Sequence, residues 1–129
     1  MLLTFRKNER LYRLREIKNL FSEGRHMVIK PLKITWLIQD QSEEKSVKLM
    51  ISFPKAFCKK ATRRNKIKRR LREAYRHNKN ILYDAGLPPG KSLLVCITYT
   101  SKELLSYSEI QDKIILILWR LKEACGKVV

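Results

Sequence analysis

Acidic side chains are scarce in this chain: 12 Asp and Glu stand against 29 Lys and Arg in 129 residues, a formal net charge of +17. So few carboxylates, scattered among basic groups, leave little material for two-metal hydrolysis, which needs several converging acids. Cysteine is rarer still. Cys58, Cys96 and Cys125 are odd in number, widely spaced and without a CxxC pair, and neither His26 nor His77 has a Cys or His at ligand spacing, so a zinc-finger site is not expected. Two of the three lie in apolar runs, where a free thiol behaves as a small hydrophobe, and all read as reduced and structural. There is no Gly-rich phosphate loop, no HExxH and no GxSxG. No apolar run approaches about 18 residues, and the N-terminus turns charged after three residues, which excludes a membrane helix and a signal peptide from the expectation. The chain is expected to stay in the cytoplasm.

What is abundant is positive charge, gathered in one place. Lys59 to Arg76 (KKATRRNKIKRRLREAYR) holds ten Lys or Arg and one acid, Glu73, leaving 19 basic and 11 acidic residues for the rest of the chain. More than half of the net charge therefore sits in this segment, which still reads as a helix. At 100° per residue Ile67, Leu71, Ala74 and Tyr75 form a narrow apolar stripe suited to docking on a sheet, and Asn65, Lys68, Arg69, Arg72 and Arg76 fall opposite. A solvated charged helix normally mixes signs through i,i+4 pairs; here like charges crowd one another, each pair costing a few tenths of a kcal/mol. A bound polyanion relieves that repulsion, whereas a merely soluble surface leaves it in place. A basic membrane helix carries a broad, bulky apolar face that this one lacks, so nucleic acid is the favoured partner over a membrane or an acidic protein.

A chain of this length with 44% apolar residues suits one domain, residues 1–129, with a real core and no room for a second. A basic N-terminal tail over residues 1–12, with Phe5, Arg6, Lys7 and Arg10, leads into a short helix marked by Leu14, Ile17, Leu20 and Phe21, with Gly24 placed as its C-terminal cap. Met27 to Ile38 is rich in β-branched and aromatic residues, with Pro31 implying a strand edge or bulge near its start. After a polar turn from Gln39 to Ser46 comes Val47 to Phe53, and two antiparallel strands are the simplest reading. Lys55 to Thr62 connects to the basic helix, expected over residues 63–78, and Gly86, Pro88, Pro89 and Gly90 then break the chain. Ser92 to Tyr99 is a nearly continuous apolar run, as in a strand covered on both faces. Ser106 with Glu109 and Ser108 with Gln111 each offer a capping box for a last helix, Tyr107 to Ala124, whose Ile110, Ile114, Ile117, Leu118, Leu121 and Cys125 make the widest apolar face of the chain. The order is αββαβα: an α/β class, single-domain α-β sandwich with helices packed on a small central sheet.

Arg64-Asn65-Lys66-Ile67-Lys68-Arg69, preceded by Ser52-Phe53-Pro54-Lys55 at the end of a strand, resembles the RNR signature of the bacterial ribonuclease P protein component. The resemblance extends along essentially the whole chain: Thr4-Phe5-Arg6-Lys7-Asn8-Glu9-Arg10-Leu11 at the start, Leu20-Phe21-Ser22-Glu23-Gly24 closing the first helix, and the Tyr107 helix after an apolar strand. It implies an accessory protein bound to a large catalytic RNA that removes the 5′ leader from precursor tRNA, with the chemistry in the RNA, no catalytic protein residue, and a monomer in the complex. Magnesium would then be required by that RNA and no cofactor held by protein side chains. RNA contact carries over onto Arg64, Asn65, Lys68, Arg69 and Arg72, and the adjacent Lys55, Arg63, Lys66 and Arg76 complete the expected RNA-binding surface. Lys66 departs from the usual Arg, keeping charge but losing the bidentate fork.

The family also implies a cleft between the first helix and the sheet that holds the single-stranded leader. Phe21 matches one aromatic position, Ile17 replaces another, and Thr35 and Trp36 are candidates on the first strand. Phe21 and Trp36 read equally well as ordinary core. Aromatic rings stack bases for roughly 1–3 kcal/mol each, whereas Ile offers only contact area. A ribosomal or ribosome-assembly protein is the competing reading, with similar size and charge; a DNA-binding helix-turn-helix needs a second short helix before the basic one, where Val47 to Pro54 reads as strand.

Overall fold

The computed structural model describes residues 9–40, 46–83 and 91–126. Its centre is a four-stranded sheet in the order β1-β2-β4-β3, built from β1 (Arg25–Ile29), β2 (Leu32–Asp40), β3 (Ser46–Ser52) and β4 (Lys91–Tyr99). β4 is the apolar run that the sequence marks as interior, and it is buried along almost its whole length. A strand of that kind belongs in the middle, with a neighbour on each side and a layer on each face.

That demand overturns the antiparallel pairing expected between the second and third strands. β4 separates them, running antiparallel to β2 and parallel to β3. A parallel pair needs a crossover connection rather than a hairpin. Here it is supplied by α2 (Ala61–Asn78) and the one-turn α3 (Asn80–Tyr83), the latter not expected from the sequence. The Met27 to Ile38 stretch is likewise two strands, an antiparallel hairpin turning at Lys30-Pro31. Pro31 has no N–H to give a ladder, so it sits in the turn, where its carbonyl accepts from the Thr100 N–H (2.8 Å) and hydroxyl (2.9 Å). The expected helix–strand order thus holds with one strand split and one short helix added.

Alternation along the strands separates two cores. Trp36, Val95 and Leu49 are cross-strand partners in one row and belong to the larger cluster, beneath α2 and α4 (Tyr107–Gly126). Ile67, Leu71, Ala74 and Tyr75 of α2 and Ile110, Ile114, Ile117, Leu118, Leu121 and Cys125 of α4 are buried there, the two stripes that helical periodicity picks out. The adjacent row, Thr35, Cys96 and Met50, faces the other way, toward α1 (Leu14–Glu23), where Leu11, Ile17, Leu20, Leu37, Leu94 and Cys96 form a smaller cluster. Helices thus cover both faces of the sheet, with α2, α4 and the short α3 on one side and α1 on the other.

The helix ends have local causes. The Ser106 hydroxyl accepts from the Glu109 N–H at 3.2 Å, so the first of the two capping boxes opens α4. Gly24 closes α1, its N–H donating to the Leu20 carbonyl at 2.8 Å. Its backbone is extended (φ −70°, ψ 159°), and glycine is required by close approach: a Cβ there would stand 2.3 Å from that carbonyl oxygen and 3.1 Å from the Thr35 methyl. α2 begins at Ala61, two residues before the expected start, because the Arg64 N–H already bonds the Lys60 carbonyl at 3.1 Å.

The N-terminal segment is fixed where it is described. Arg10 forms a parallel bridge with Leu49, the Leu11 N–H donates to the Leu49 carbonyl at 2.9 Å, and Leu11 is buried. This short backbone stretch covers the outer edge of β3. Lys79, 2% exposed at the end of α2, donates to both carboxylate oxygens of Glu9 at 3.0 and 2.9 Å. Removing one partner would leave a buried charge uncompensated, so the pair clamps the segment to α2. Residues 1–8 of the expected basic tail, the turn over 41–45 and the Gly86 to Gly90 break lie outside the described residues.

Candidate nucleic-acid interface

The stripe of α2 that packs on the sheet aims its remaining side chains outward. Arg63, Asn65, Lys66, Arg69 and Arg72 are exposed, Lys68 and Arg76 are half-buried, and Lys55 is exposed in the loop before the helix. Thr62, Asn65, Lys66, Arg69 and Arg72 line an open groove of about 550 Å3 with no carboxylate among them. The first turn of α2 has no acid and Lys60 makes no side-chain cap, so the positive end of the helix dipole adds to the field of the bases. Every group on this groove can bind phosphate: guanidinium by paired N–H donors, ammonium as a point charge, the Asn amide as a neutral donor.

Two of the sequence-selected bases do work within the protein. The Arg64 guanidinium donates to the Cys58 and Lys59 carbonyls, both at 2.8 Å, tying the preceding loop to the helix start. Arg76 donates to the Glu73 carboxylate at 2.7 Å, and His77 lies 3.5 Å from the same oxygen. The hydrogen bond from Arg76 holds the Glu73 carboxyl below its ordinary pKa. Arg70, not selected from the sequence as a contact, donates to the Leu105 carbonyl and joins α2 to the entry of α4.

On the opposite face, the structure brings three of the four leader-cleft candidates together. Ile17 packs into the smaller core, Phe21 is one helical turn further on and 50% exposed, and Thr35 lies on the sheet beneath, 3% exposed. The Thr35 hydroxyl is 3.1 Å from Nδ1 of His26, its cross-strand neighbour. Trp36 is a correction: strand alternation sends it to the α2–α4 side, 7% exposed in the large core, with the Arg25 guanidinium 5.8 Å from its ring centre. The Ile34, Trp36, Ile38 alternation was the signal that separates it from Thr35. Also missed was the polar group beside α1, where the Glu16 carboxylate accepts from Lys48 at 3.1 Å and Gln39 at 3.4 Å; its three members are 9 to 32 residues apart, beyond any local pattern.

Among the described residues no three His, Cys, Asp or Glu side chains form a set able to hold a metal ion, and no helix is long and apolar enough to cross a membrane. The three cysteines are free, and burial pushes the Cys96 and Cys125 thiols up.

A family model described as Ribonuclease P matches residues 5–122. Two curated proteins named ribonuclease P protein component, from strains of Porphyromonas gingivalis, are 37% identical over 78 residues, covering 60% of this chain. The chain spans 57% of the length of these relatives. The RNase P protein from Thermotoga maritima superposes with a TM-score of 0.62 at 28% identity, over 87% of this chain and 96% of that one. The RNase P protein from Staphylococcus aureus, 21% identical with a TM-score of 0.64 over 92% and 93% of the two chains, shares the fold.

Proposed function

The chain belongs to the ribonuclease P protein family, and from that premise we propose that it is the protein subunit of ribonuclease P, binding the catalytic RNA and the 5′ leader of precursor tRNA in the cytoplasm as a monomer within the complex. The observation that carries this reading is the acid-free groove on α2, where Asn65, Lys66, Arg69 and Arg72 converge. Bases placed along a rigid helix neutralise successive RNA phosphates and release their counterions, so affinity comes from charge and register from helix geometry.

The leader is assigned to the other side of the sheet, where Phe21 offers an exposed ring and the exposed His26, held by the buried Thr35 hydroxyl, offers its other ring nitrogen. Binding the precursor by a segment that the mature tRNA lacks favours substrate over product. Magnesium held by the RNA would supply the chemistry of phosphodiester hydrolysis, and among the described residues no three His, Cys, Asp or Glu side chains are grouped to hold it on the protein. The protein's part is to hold both RNAs and offset their mutual repulsion.

The test is reconstitution with ribonuclease P RNA and a leader-bearing precursor tRNA at low magnesium. Added protein should restore 5′-leader removal that the RNA alone performs poorly, and RNA-free protein should cleave nothing. Specific leader removal by the protein alone, or no effect on the RNA, would contradict the proposal.

A further inference from the structure

α1 is held to the sheet by little apolar surface. Leu20 alone among its residues is fully buried, whereas α2 sinks four side chains. Its ends are fixed by backbone: just before the helix the Leu11 N–H bonds the Leu49 carbonyl, and just after it Gly24 lies against the Leu20 and Trp36 carbonyls and the Thr35 methyl with no room for a Cβ. Two fixed ends set the line of a helix. Its roll about that line is left to the side chains along it.

Leu20 and Ile17, both in the smaller core, mark the side of α1 that faces the sheet. At about 100° per residue, Glu16 and Phe21 fall about 70° to either side of that line, on opposite flanks of the helix. Glu16 is tied down on its flank. Its two carboxylate oxygens each accept from the Lys48 ammonium at 3.1 Å, and one also accepts from the Gln39 amide at 3.4 Å. The Glu16 and Lys48 side chains are only 16% and 18% exposed. Lys48 is on β3 and Gln39 on β2, with β4 running between those strands, so the carboxylate is held from both sides of the central strand. Phe21, on the other flank, is 50% exposed.

The two flanks are coupled because a short helix rolls as a rigid rod. Side chains reach roughly 5–6 Å from the axis, so a roll of about 20° carries the Phe21 ring through about 2 Å. A binding site about 1 Å too loose is already impaired.

We propose that Glu16 is a positioning residue for the 5′ leader: through Lys48 and Gln39 it sets the roll of α1, and with it the place at which the Phe21 ring meets an unpaired base. The proposal rests on the proposed function, which puts the leader at Phe21. Glu16 itself touches no RNA; its charge is neutralised by Lys48 and acts through the tie it makes.

Holoenzymes are reconstituted with wild-type protein, Glu16→Ala, Lys48→Met, Glu16→Gln and Phe21→Ala, and with Phe21→Ala combined with each of the first two. Each is titrated with precursor and mature tRNA below the melting temperature of its protein. Glu16→Ala and Lys48→Met cut the same tie from opposite ends, and each should lower the preference for precursor about 3- to 30-fold. Charge alone predicts opposite signs, because one variant removes an acid and the other a base. In the Phe21→Ala background neither should lower the preference by more than about twofold further, since the ring they position is gone. Glu16→Gln keeps an acceptor oxygen for Lys48 and should hold the preference within about threefold. It carries the test if truncation costs the fold, because a direct role for the charge would lose what positioning keeps. Opposite changes from Glu16→Ala and Lys48→Met, an unchanged preference in both, or a loss undiminished by Phe21→Ala would overturn the proposal, as would a loss of about tenfold from Glu16→Gln. A wild-type holoenzyme that binds both tRNAs equally, or Phe21→Ala with the full preference, would overturn the leader reading and this inference with it, a result told apart because it needs no change at Glu16.

Discussion

α2 and α4 pack against each other on the same face of the same sheet, yet they divide the tasks of the molecule. α2 buries four side chains and carries eight Lys or Arg and one acid; α4 buries six and carries three bases and three acids. Each fully buried Ile or Leu contributes roughly 1.5–3 kcal/mol by leaving water. α4 spends its surface on the core and keeps a neutral exterior. α2 buries just enough to fix its position, and the rest of its circumference is charge. Under the proposed function, stability and RNA recognition are thus separable by helix.

The widest separation should come from truncating the core of α4. Ile114→Ala is expected to lower stability by about 2–5 kcal/mol, while Arg69→Ala shifts it by no more than about 0.5 kcal/mol, both read by denaturant melts. Similar losses from the two would erase the distinction between the helices.

A third helix sharpens it. α1 lies on the opposite face, and its half-exposed Phe21 contributes little to either core. In the reconstituted holoenzyme Phe21→Ala should weaken precursor tRNA by about 1–3 kcal/mol more than mature tRNA. Equal losses for both would place Phe21 outside the leader site.

The pH dependence of stability should follow α4. Burial pushes the Cys125 thiol up to about 11, above its value in the unfolded chain, so the folded state keeps a proton that the unfolded state releases first. That part of the stability is present in full below about pH 8.5 and is lost as pH rises toward 11. Between pH 8 and 10.5 the melting temperature of Cys125→Val should fall less than that of wild type. Parallel falls would show that the thiol is not what titrates.

The smallest effect belongs to the single acid on α2. Glu73 pairs with the half-exposed Arg76, and such i,i+3 pairs contribute about 0.2–0.5 kcal/mol. Glu73→Gln should leave the melt nearly unchanged and tighten RNA binding slightly, steepening the salt slope by less than one unit. Weaker RNA binding would mean that Glu73 positions Arg76 for the RNA rather than competing for it.

Both long helices were legible because a helix writes its buried face at a period of 3.6 within one segment. Ile67, Leu71, Ala74 and Tyr75 follow from spacing alone, as do the six apolar residues of α4. The apolar run of β4 likewise announced a central strand. Strand partners are another matter, since a ladder joins segments whose local patterns do not refer to each other. Nothing between Asp40 and Ser46 reports that β4 inserts between β2 and β3, and Pro31 signalled an interruption without revealing that it was a hairpin turn. The candidate binding residues divide the same way. Helical spacing put Asn65, Arg69 and Arg72 on the exposed face of α2, but it could not show that Arg64 and Arg76 bond within the protein. Trp36 went to the wrong side because one step of strand register exchanges the faces. The Glu9–Lys79 clamp joins residues 70 positions apart, and only the folded chain brings them together.

The division between the helices is tested most directly by the salt dependence of affinity for ribonuclease P RNA. It compares Arg69→Ala/Arg72→Ala on α2 with Arg120→Ala/Lys122→Ala on α4, each pair removing two positive charges. The α2 pair should flatten the slope of log K against log salt by about one to two units, and the α4 pair should leave it within about 0.3. Equal flattening by both pairs would mean that the RNA senses only total charge, and would contradict the assignment of recognition to α2.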